Sequence, residues 1–298
     1  MTGSLARTVL GINFQNPVLL ASGTAGYGRE LDGVMELDRL GGLVTKAVSL
    51  EPRRGNPPPR VSEFSGGMIN SVGLANPGLG SVRQHELPWL ADKLTRARVL
   101  VNVVGFREEE YAAVVSGLDE RPGFAGYELN LSCPNTAKGG IEFGSEPDSV
   151  ARIVGRVRRV TKRPIFAKLS PVLPDVATMA EAARDAGADG VSLVNTMPGY
   201  LYNGEKPRVG QGNGGISGPA LRPVGMLAVR RVAERTHGEL PIIGVGGIST
   251  AEHVREYLRS GASLVAIGTA ALADPRLPGR IIEELESDVI PSDSEESR

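Results

Sequence analysis

The chain has 298 residues, of which 41% are hydrophobic, and its 33 basic and 34 acidic side chains give a net charge of −1. This balance argues against a nucleic-acid-binding protein, because such proteins carry a clear basic excess. The single cysteine excludes a disulfide within the chain and an iron–sulfur cluster held by this chain alone. The sequence contains neither an apolar run long enough to span a membrane nor the apolar core of a signal peptide near its start. We therefore expect a cytoplasmic protein without a membrane span.

Short apolar segments recur along the chain and show little alternation between apolar and polar residues. They are rich in Val, Ile and Leu, a pattern typical of parallel strands that are buried on both faces. In chain order, the predicted strands are Val18–Ala21, Leu43–Lys46, Val99–Val104, Tyr127–Leu131, Ile165–Leu169, Gly190–Val194, Ile242–Val245 and Leu264–Ile267.

A stretch of helical character follows each predicted strand. The predicted helices are Gly28–Leu40, Val82–Thr95, Glu108–Leu118, Pro147–Val160, Asp175–Ala186, Pro219–Arg235, Ala251–Ser260 and Leu277–Leu285. Strand–helix units in this number predict an α/β fold, a (β/α)₈ barrel. A doubly wound open sheet is the alternative, because the pattern alone does not show closure. No Gly-x-Gly-x-x-Gly motif follows the first strand, which disfavours a dinucleotide-binding open sheet.

The remaining segments complete one predicted domain over residues 1–288. Thr8–Phe14 predicts a small hairpin ahead of the barrel, and the composition of residues 289–298 predicts an acidic, disordered tail. Two connections, Ser49–Ser81 and Thr196–Ser217, are much longer than the usual few residues. Both follow strands, so we expect them to lie over the C-terminal face, where the active sites of such barrels form. A mobile surface loop without function is the alternative for each.

Glycine-rich turns follow the last two predicted strands. Gly244-Val245-Gly246-Gly247-Ile248 follows strand seven, and Ile267-Gly268-Thr269 follows strand eight. Glycine can serve merely to permit a tight turn. However, backbone amides at helix starts bind phosphate, and barrels often place a phosphate site after these two strands. Two such turns therefore favour a ligand that carries a phosphate.

Lysines and asparagines crowd the same predicted rim. Lys46 ends strand two and Lys168 lies within strand five, although lysine is rarely buried unless it is paired or functional. The alternative is a lysine whose stem packs while its ammonium group reaches solvent. Two lysines at matching strand ends favour an anionic or electron-rich ligand, such as a flavin ring. Strand-end amides suit the edges of a planar heterocycle, although asparagine also starts turns. These asparagines are Asn70, Asn102, Asn130, Asn135 and Asn195.

Cys133 lies in the segment that follows the fourth predicted strand, Asn130-Leu131-Ser132-Cys133-Pro134-Asn135. Pro134 restricts the backbone of Cys133 to extended geometry. A thiolate at this place could act as a general base or a nucleophile, whereas a buried structural cysteine is the alternative. The histidines lie in predicted helices or at their ends, so neither a Ser-His-Asp hydrolase nor a zinc enzyme is expected.

Together these motifs resemble the dihydroorotate dehydrogenase family, class 1. The segment around Cys133 is similar to the active-site segment of that family, and class 2 members have serine at this position. The resemblance runs in order from about Leu10 to Leu285. Its further motifs are Ala21-Ser22-Gly23-Thr24, Asn56-Pro57-Pro58-Pro59-Arg60, Met68-Ile69-Asn70-Ser71-Val72-Gly73-Leu74, Asn195-Thr196 and Gly215-Ile216-Ser217-Gly218-Pro219-Ala220.

The resemblance implies FMN-dependent oxidation of (S)-dihydroorotate to orotate in de novo pyrimidine (UMP) biosynthesis, with one FMN per chain and no metal. It implies that Cys133 is the general base that removes the C5 proton, while the C6 hydride passes to the flavin. The residues implied around the substrate are Lys46, Asn70, Ser71, Val72, Gly73, Leu74, Asn130, Asn195 and Thr196. The residues implied around FMN are Ser22, Lys46, Ala47, Asn102, Asn130, Lys168, Val194, Gly218, Gly246, Gly247, Gly268 and Thr269.

Within class 1, Pro57–Val61 and His85–Leu90 are most similar to class 1B, the NAD-linked catalytic subunit. That class implies a homodimer that forms a heterotetramer with an electron-transfer subunit carrying FAD and a 2Fe–2S cluster. The class 1A homodimer, which uses fumarate, is the close alternative, because Tyr200–Gln211 differs from the versions of both subclasses. Two more distant alternatives are another FMN barrel, such as a tRNA dihydrouridine synthase, and a non-catalytic flavin-binding subunit. The net charge of −1 argues against the first, and the joint presence of Cys133, Lys46 and Asn70 argues against the second.

Overall fold

The computed structural model describes residues 5–131, 134–135, 141–142 and 145–288 of the chain. Its parallel strands close into an eight-stranded barrel, which confirms the predicted fold and excludes the open sheet. Closure occurs where the last strand pairs with the first, with Val265 opposite Val18 and Ile267 opposite Leu20. The barrel strands β1 to β8 are Val18–Leu20, Gly42–Val44, Arg98–Val103, Gly126–Asn130, Ile165–Leu169, Gly190–Leu193, Ile242–Val245 and Leu264–Ile267.

The helix predicted between β1 and β2 is wrong. In place of Gly28–Leu40 the structure has two short 3₁₀ turns, Arg29–Leu31 and Leu37–Arg39. Gly28 and Gly33 have φ angles of 96° and 77°, which lie in the left-handed region and cannot continue an α-helix. The apolar spacing of this segment therefore serves packing against the barrel without a regular helix.

The other predicted helices are present with small changes at their ends. They are Glu108–Leu118, Pro147–Arg158, Val176–Asp185, Arg222–Arg235, Ala251–Arg259 and Leu277–Ser287. The helix predicted at Val82–Thr95 begins earlier, at Gly78, and passes through a π-helical turn at Val82–Glu86 before ending at Lys93. A short helix, Thr269–Ala273, follows β8 directly and is absent from the prediction.

Apolar side chains fill the barrel interior from its N-terminal end. Successive residues of a strand point to opposite faces, and Leu19, Leu100 and Phe166 belong to the inner cluster of buried side chains. The predicted N-terminal hairpin is confirmed, with Arg7–Val9 paired to Ile12–Phe14. Its Val9 and Phe14 join the same inner cluster, so the hairpin closes the N-terminal end of the barrel.

The two long connections combine into one antiparallel sheet, here called the cover sheet. Its strands, in spatial order, are Met197–Tyr200, Asn213–Ser217, Gly67–Asn70 and Val61–Phe64. The connection after β6 supplies the first two strands and the connection after β2 supplies the other two. Ile216 pairs with Ile69 across the junction between them. Since both connections leave the carboxyl ends of barrel strands, they meet as one body at that end of the barrel.

Over the part of the chain that the structure describes, no helix is long and apolar enough to cross a membrane. The predicted tail, residues 289–298, lies outside the described residues.

We expect Phe14→Ala to lower the free energy of unfolding by about 3–5 kcal/mol, because truncating a buried aromatic side chain leaves a cavity. Phe14 is only 1% exposed at the closed end of the barrel. Urea denaturation measures the change, and Val160→Ala, at a side chain that is 37% exposed, is the control. Equal unfolding midpoints for the two variants would show that the hairpin does not contribute to the barrel core.

The cover sheet depends on close backbone approach at Gly214. A Cβ atom on Gly214 would lie 2.4 Å from the carbonyl oxygen of Asn70, so Gly214→Ala forces the two strands apart. We expect amides of Asn213–Ser217 to exchange with deuterium about tenfold faster or more in this variant. Gly80→Ala is the matched control, since a Cβ atom at Gly80 meets nothing within 4 Å. Unchanged exchange in Gly214→Ala would mean that the two connections move independently.

Candidate active site

A tier of buried polar side chains lies above the apolar filling of the barrel. It consists of Asn102 on β3, Glu128 on β4, Lys168 on β5 and Ser192 on β6. The two neighbours of each one pack outward under the helices, as Tyr127 and Leu129 do around Glu128. Strand alternation therefore directs all four inward. The exposed fractions of the four whole residues, backbone included, are 0%, 1%, 6% and 0%, in that order.

An ion pair and a hydrogen bond join three members of this tier. The Nζ atom of Lys168 lies 3.4 Å from Oε1 of Glu128. Asn102 donates from Nδ2 to the same carboxylate oxygen at 2.7 Å. The backbone N–H of Asn102 donates in turn to Oγ1 of Thr45 at 3.1 Å, which ties β3 to the end of β2.

Two polar atoms of the tier have no hydrogen-bond partner within the described ranges. They are Oδ1 of Asn102 and Oγ of Ser192. Buried polar atoms in proteins are nearly always hydrogen-bonded, because an unmade bond costs about 1–3 kcal/mol. These two atoms are therefore candidate contacts for a polar ligand at the carboxyl end of the barrel.

Asparagine side chains form a second set of hydrogen bonds at the rim. Asn195 donates from Nδ2 to Oδ1 of Asn130 at 3.2 Å, and its own Oδ1 accepts from the backbone N–H of Thr196 at 2.8 Å. The hydroxyl of buried Tyr111 donates to the backbone carbonyl of Asn130 at 2.8 Å. The end of β4 is thus held from the helix side and from the rim side.

Cys133 lies outside the described residues, as does the side chain of Asn135. The structure gives only the backbone pairing of residues 134–135 with residues 141–142 in that connection. The segment begins at Leu131, directly after Asn130, whose position is fixed by the contacts above.

Lys46 lies just beyond β2, two residues after the inward-facing Val44. It is partly buried, and it makes no ion pair with any residue that the structure describes. Ser22 donates from Oγ to the carbonyl of Thr45 at 2.9 Å, which joins the ends of β1 and β2. Ala47, the next residue, is buried.

The glycine-rich turns after β7 and β8 come together beside the cover sheet. Gly246 and Gly247 have φ angles of 133° and 66°, a region that favours glycine. A Cβ atom on Gly247 would lie 2.9 Å from the carbonyl oxygen of Gly218, so the two backbones adjoin. Thr269 donates from Oγ1 to Oγ of Ser217 at 2.7 Å, which brings the turn after β8 to the same place.

Side chains of the helix Ala251–Arg259 support the turn after β7. Tyr257 donates to the carbonyl of Gly246 at 2.8 Å, and Nδ1 of His253 accepts from the backbone N–H of Ser249 at 3.2 Å. Burial lowers the pKa of His253, and the neighbouring Arg222 guanidinium lowers it further. The imidazole is therefore neutral at neutral pH and keeps a lone pair for this hydrogen bond. Burial likewise raises the pKa of Tyr257, which keeps its hydroxyl a donor.

The predicted substrate segment Ser71–Leu74 is an irregular stretch that directly follows the cover-sheet strand Gly67–Asn70. Ser71 accepts from Nδ2 of Asn56 at 2.9 Å, and Gly73 and Leu74 have φ angles of 71° and 57°. Asn70 donates from Nδ2 to the carbonyl of Gly215 at 3.2 Å. This contact joins the start of the segment to the strand that leads to Gly218.

Most of the predicted site residues therefore meet at one end of the barrel, on strand ends or on the cover sheet. Glu128 and Ser192 belong to the same tier but are not among the predicted residues. The available signal was their position, because each is a polar residue inside an apolar strand with the inward parity of its neighbours. Over the described part of the chain, no group of three or more His, Cys, Asp or Glu side chains could hold a metal ion.

Comparison with known proteins shows relatives over nearly the whole chain. The family model for dihydroorotate dehydrogenase matches residues 4–289. A Solibacter usitatus protein with the provisional name dihydroorotate dehydrogenase A (fumarate) is 47% identical, over 96% of this chain and 93% of its own. The catalytic subunit of dihydroorotate dehydrogenase B (NAD(+)) from Desulforudis audaxviator is 46% identical, over 94% and 91%. The subunit of the same name from Pelobacter propionicus is 43% identical, over 96% and 92%. The chain belongs to the dihydroorotate dehydrogenase family of oxidoreductases.

Proposed function

We propose that this chain binds one FMN and oxidises (S)-dihydroorotate to orotate in de novo pyrimidine biosynthesis. The observation that carries the proposal is the buried tier at the carboxyl end of the barrel. There Lys168 and Glu128 form an ion pair next to two polar atoms without protein partners in the described residues. This buried tier would form the floor of the site, and its polar atoms suit a planar, polar, electron-accepting ring.

The residues at this end fit the two parts of FMN. The unpartnered atoms of Asn102 and Ser192 can bond to a heterocycle, and Lys168 offers a cation to a ring that gains negative charge. Backbone amides with little side-chain bulk around them are available for the phosphate at Gly218, Gly246, Gly247, Gly268 and Thr269. The remaining proposed contacts with FMN are Ser22, Lys46, Ala47, Asn130 and Val194. When bound, FMN supplies a two-electron acceptor for the hydride at C6 of dihydroorotate.

Residues of the rim and the cover sheet hold the substrate in this proposal. Side-chain amides and one hydroxyl can form hydrogen bonds with the ring edges of dihydroorotate. They belong to Asn70, Asn130, Asn195 and Thr196. Lys46, with no ion pair among the described residues, attracts the substrate carboxylate. The irregular segment of Ser71, Val72, Gly73 and Leu74 closes the substrate side. The Asn195–Asn130 hydrogen bond fixes the orientation of both amides before the substrate arrives.

Cys133 takes the role of general base and accepts the C5 proton as a thiolate. Its place in the sequence supports the assignment, because it lies three residues beyond Asn130, which is anchored by Tyr111 and Asn195. Pro134 limits the backbone freedom of Cys133, which carries the thiol.

The visible spectrum of the purified chain tests this function. We expect a yellow protein that bleaches when dihydroorotate is added without oxygen. Cys133→Ala should keep the flavin colour but bleach about 10²–10⁴-fold more slowly, since it lacks the base. A yellow wild-type chain that stays oxidised would contradict the substrate, and equal bleaching rates in both forms would contradict the role of Cys133.

We further propose that the chain is a class 1B catalytic subunit. In this proposal a homodimer joins an electron-transfer subunit that carries FAD and a 2Fe–2S cluster, and electrons leave to NAD. The names of the Desulforudis and Pelobacter relatives support this assignment, as do the Pro57–Val61 and His85–Leu90 motifs. The Solibacter relative, at 47% identity, supports the alternative that fumarate accepts the electrons in a class 1A homodimer.

Re-oxidation of the dihydroorotate-reduced chain separates these classes. We expect fumarate to leave the chain reduced, and NAD to re-oxidise it only after the electron-transfer subunit of a class 1B relative is added. Sedimentation of the mixture should then show a heterotetramer. Rapid re-oxidation by fumarate without any partner would instead assign the chain to class 1A.

A further inference from the structure

We propose that Glu128 is a positioning residue that offsets the charge of Lys168 under the flavin and thereby sets the reduction potential of the flavin. This inference rests on the proposed binding of FMN at the carboxyl end of the barrel. It adds a role for Glu128, which does not itself touch the flavin but contacts two proposed flavin ligands, Lys168 and Asn102.

Burial and geometry give Glu128 a unique place in the tier. Its side chain is 2% exposed and that of Lys168 is 7% exposed, so water screens neither charge effectively. Oε1 of Glu128 accepts from Nδ2 of Asn102 at 2.7 Å and lies 3.4 Å from Nζ of Lys168. The carboxylate thus holds both a cation and an amide whose remaining oxygen lacks a partner among the described residues.

The strand register explains how one carboxylate reaches both groups. Asn102 is opposite Glu128 in the β3–β4 pairing. Lys168 is opposite Asn130 in the β4–β5 pairing, two residues further along β4 on the same inward face. Glu128 therefore lies on β4, between the two strands that carry Asn102 and Lys168. Rotation of the Lys168 ammonium group away from the barrel axis would leave the carboxylate buried and unpaired, which is strongly unfavourable.

The net charge of the Lys168–Glu128 pair determines how strongly the site stabilises the reduced flavin relative to the oxidised flavin. A lone buried lysine would favour the reduced ring, which carries more negative charge, and so would raise its potential. With Glu128 ionised, the floor has zero net charge and this preference is offset. Removing either partner alone leaves one uncompensated charge of known sign, and removing both restores zero.

A cycle of isosteric variants tests this prediction at saturating FMN without oxygen. Glu128→Gln should raise the midpoint potential and Lys168→Gln should lower it, while the double variant should return close to wild type. We expect each single change to alter the ratio of affinities for reduced and oxidised FMN by about tenfold. That ratio corresponds to ~30 mV for a two-electron couple. Glu128→Asp, which keeps the charge, should stay nearer to wild type than Glu128→Gln.

The comparison of Lys168→Gln with the double variant stands even if Glu128→Gln alone fails to fold. Both proteins lack the lysine, so a potential that differs between them reports the charge of Glu128. Equal potentials in these two, or a Glu128→Gln potential equal to wild type, would overturn the proposal. Glu86→Gln is the control for loss of one carboxylate, since Glu86 pairs with the half-exposed Arg29 at the surface.

Failure of the underlying function gives a different result. A wild-type chain that neither retains FMN nor binds it in a titration refutes the cofactor itself. A chain that binds FMN but shows one potential across the cycle refutes only the role of Glu128.

Discussion

The closed barrel forces every second residue of its strands into a shared interior, and the chemistry of the site depends on this constraint. Near the N-terminal end the inward positions are apolar and bury against the hairpin. At the next inward position, two residues further along each of β3, β4, β5 and β6, the side chains become polar or charged. Because a charge in this position has little access to water, it must be paired, and the Lys168–Glu128 contact supplies that pairing. The ligand end of the barrel is therefore defined by where the apolar filling stops.

Glycine shapes the walls of the same space. At Gly214 and Gly247 the backbone of a neighbouring strand or turn occupies the position that a side chain would need. The first allows the cover sheet to join two connections that are distant in sequence. The second brings the turn after β7 against Gly218, which directly follows the cover-sheet strand Asn213–Ser217. The proposed ring site and the proposed phosphate site are consequently built on one continuous framework rather than on separate loops.

The sequence alone predicted the eight strands closely, because buried parallel strands are nearly uniform in their apolar character. It failed at Gly28–Leu40, where apolar spacing suggested a helix but glycines in the left-handed region interrupt it. It also predicted two long connections without their pairing, since the cover sheet arises from contacts between segments about 145 residues apart. Lys168 was recognisable as a buried cation, whereas Glu128 was not singled out because its partners lie on neighbouring strands that are distant in sequence.

In the proposed flavin enzyme, which must both take and release electrons, a buried tier of zero net charge has a consequence. A flavin over an unpaired lysine would accept the hydride readily, but its reduced form would be stabilised and its electrons harder to pass on. A flavin over an unpaired carboxylate would have the opposite defect. In the proposed site the buried pair lies between these limits, and the 3.4 Å contact with Glu128 orients the Lys168 ammonium group. The single hydrogen bond from Asn102 then fixes the carboxylate itself, so that the charge distribution of the floor depends on three side chains from adjacent strands.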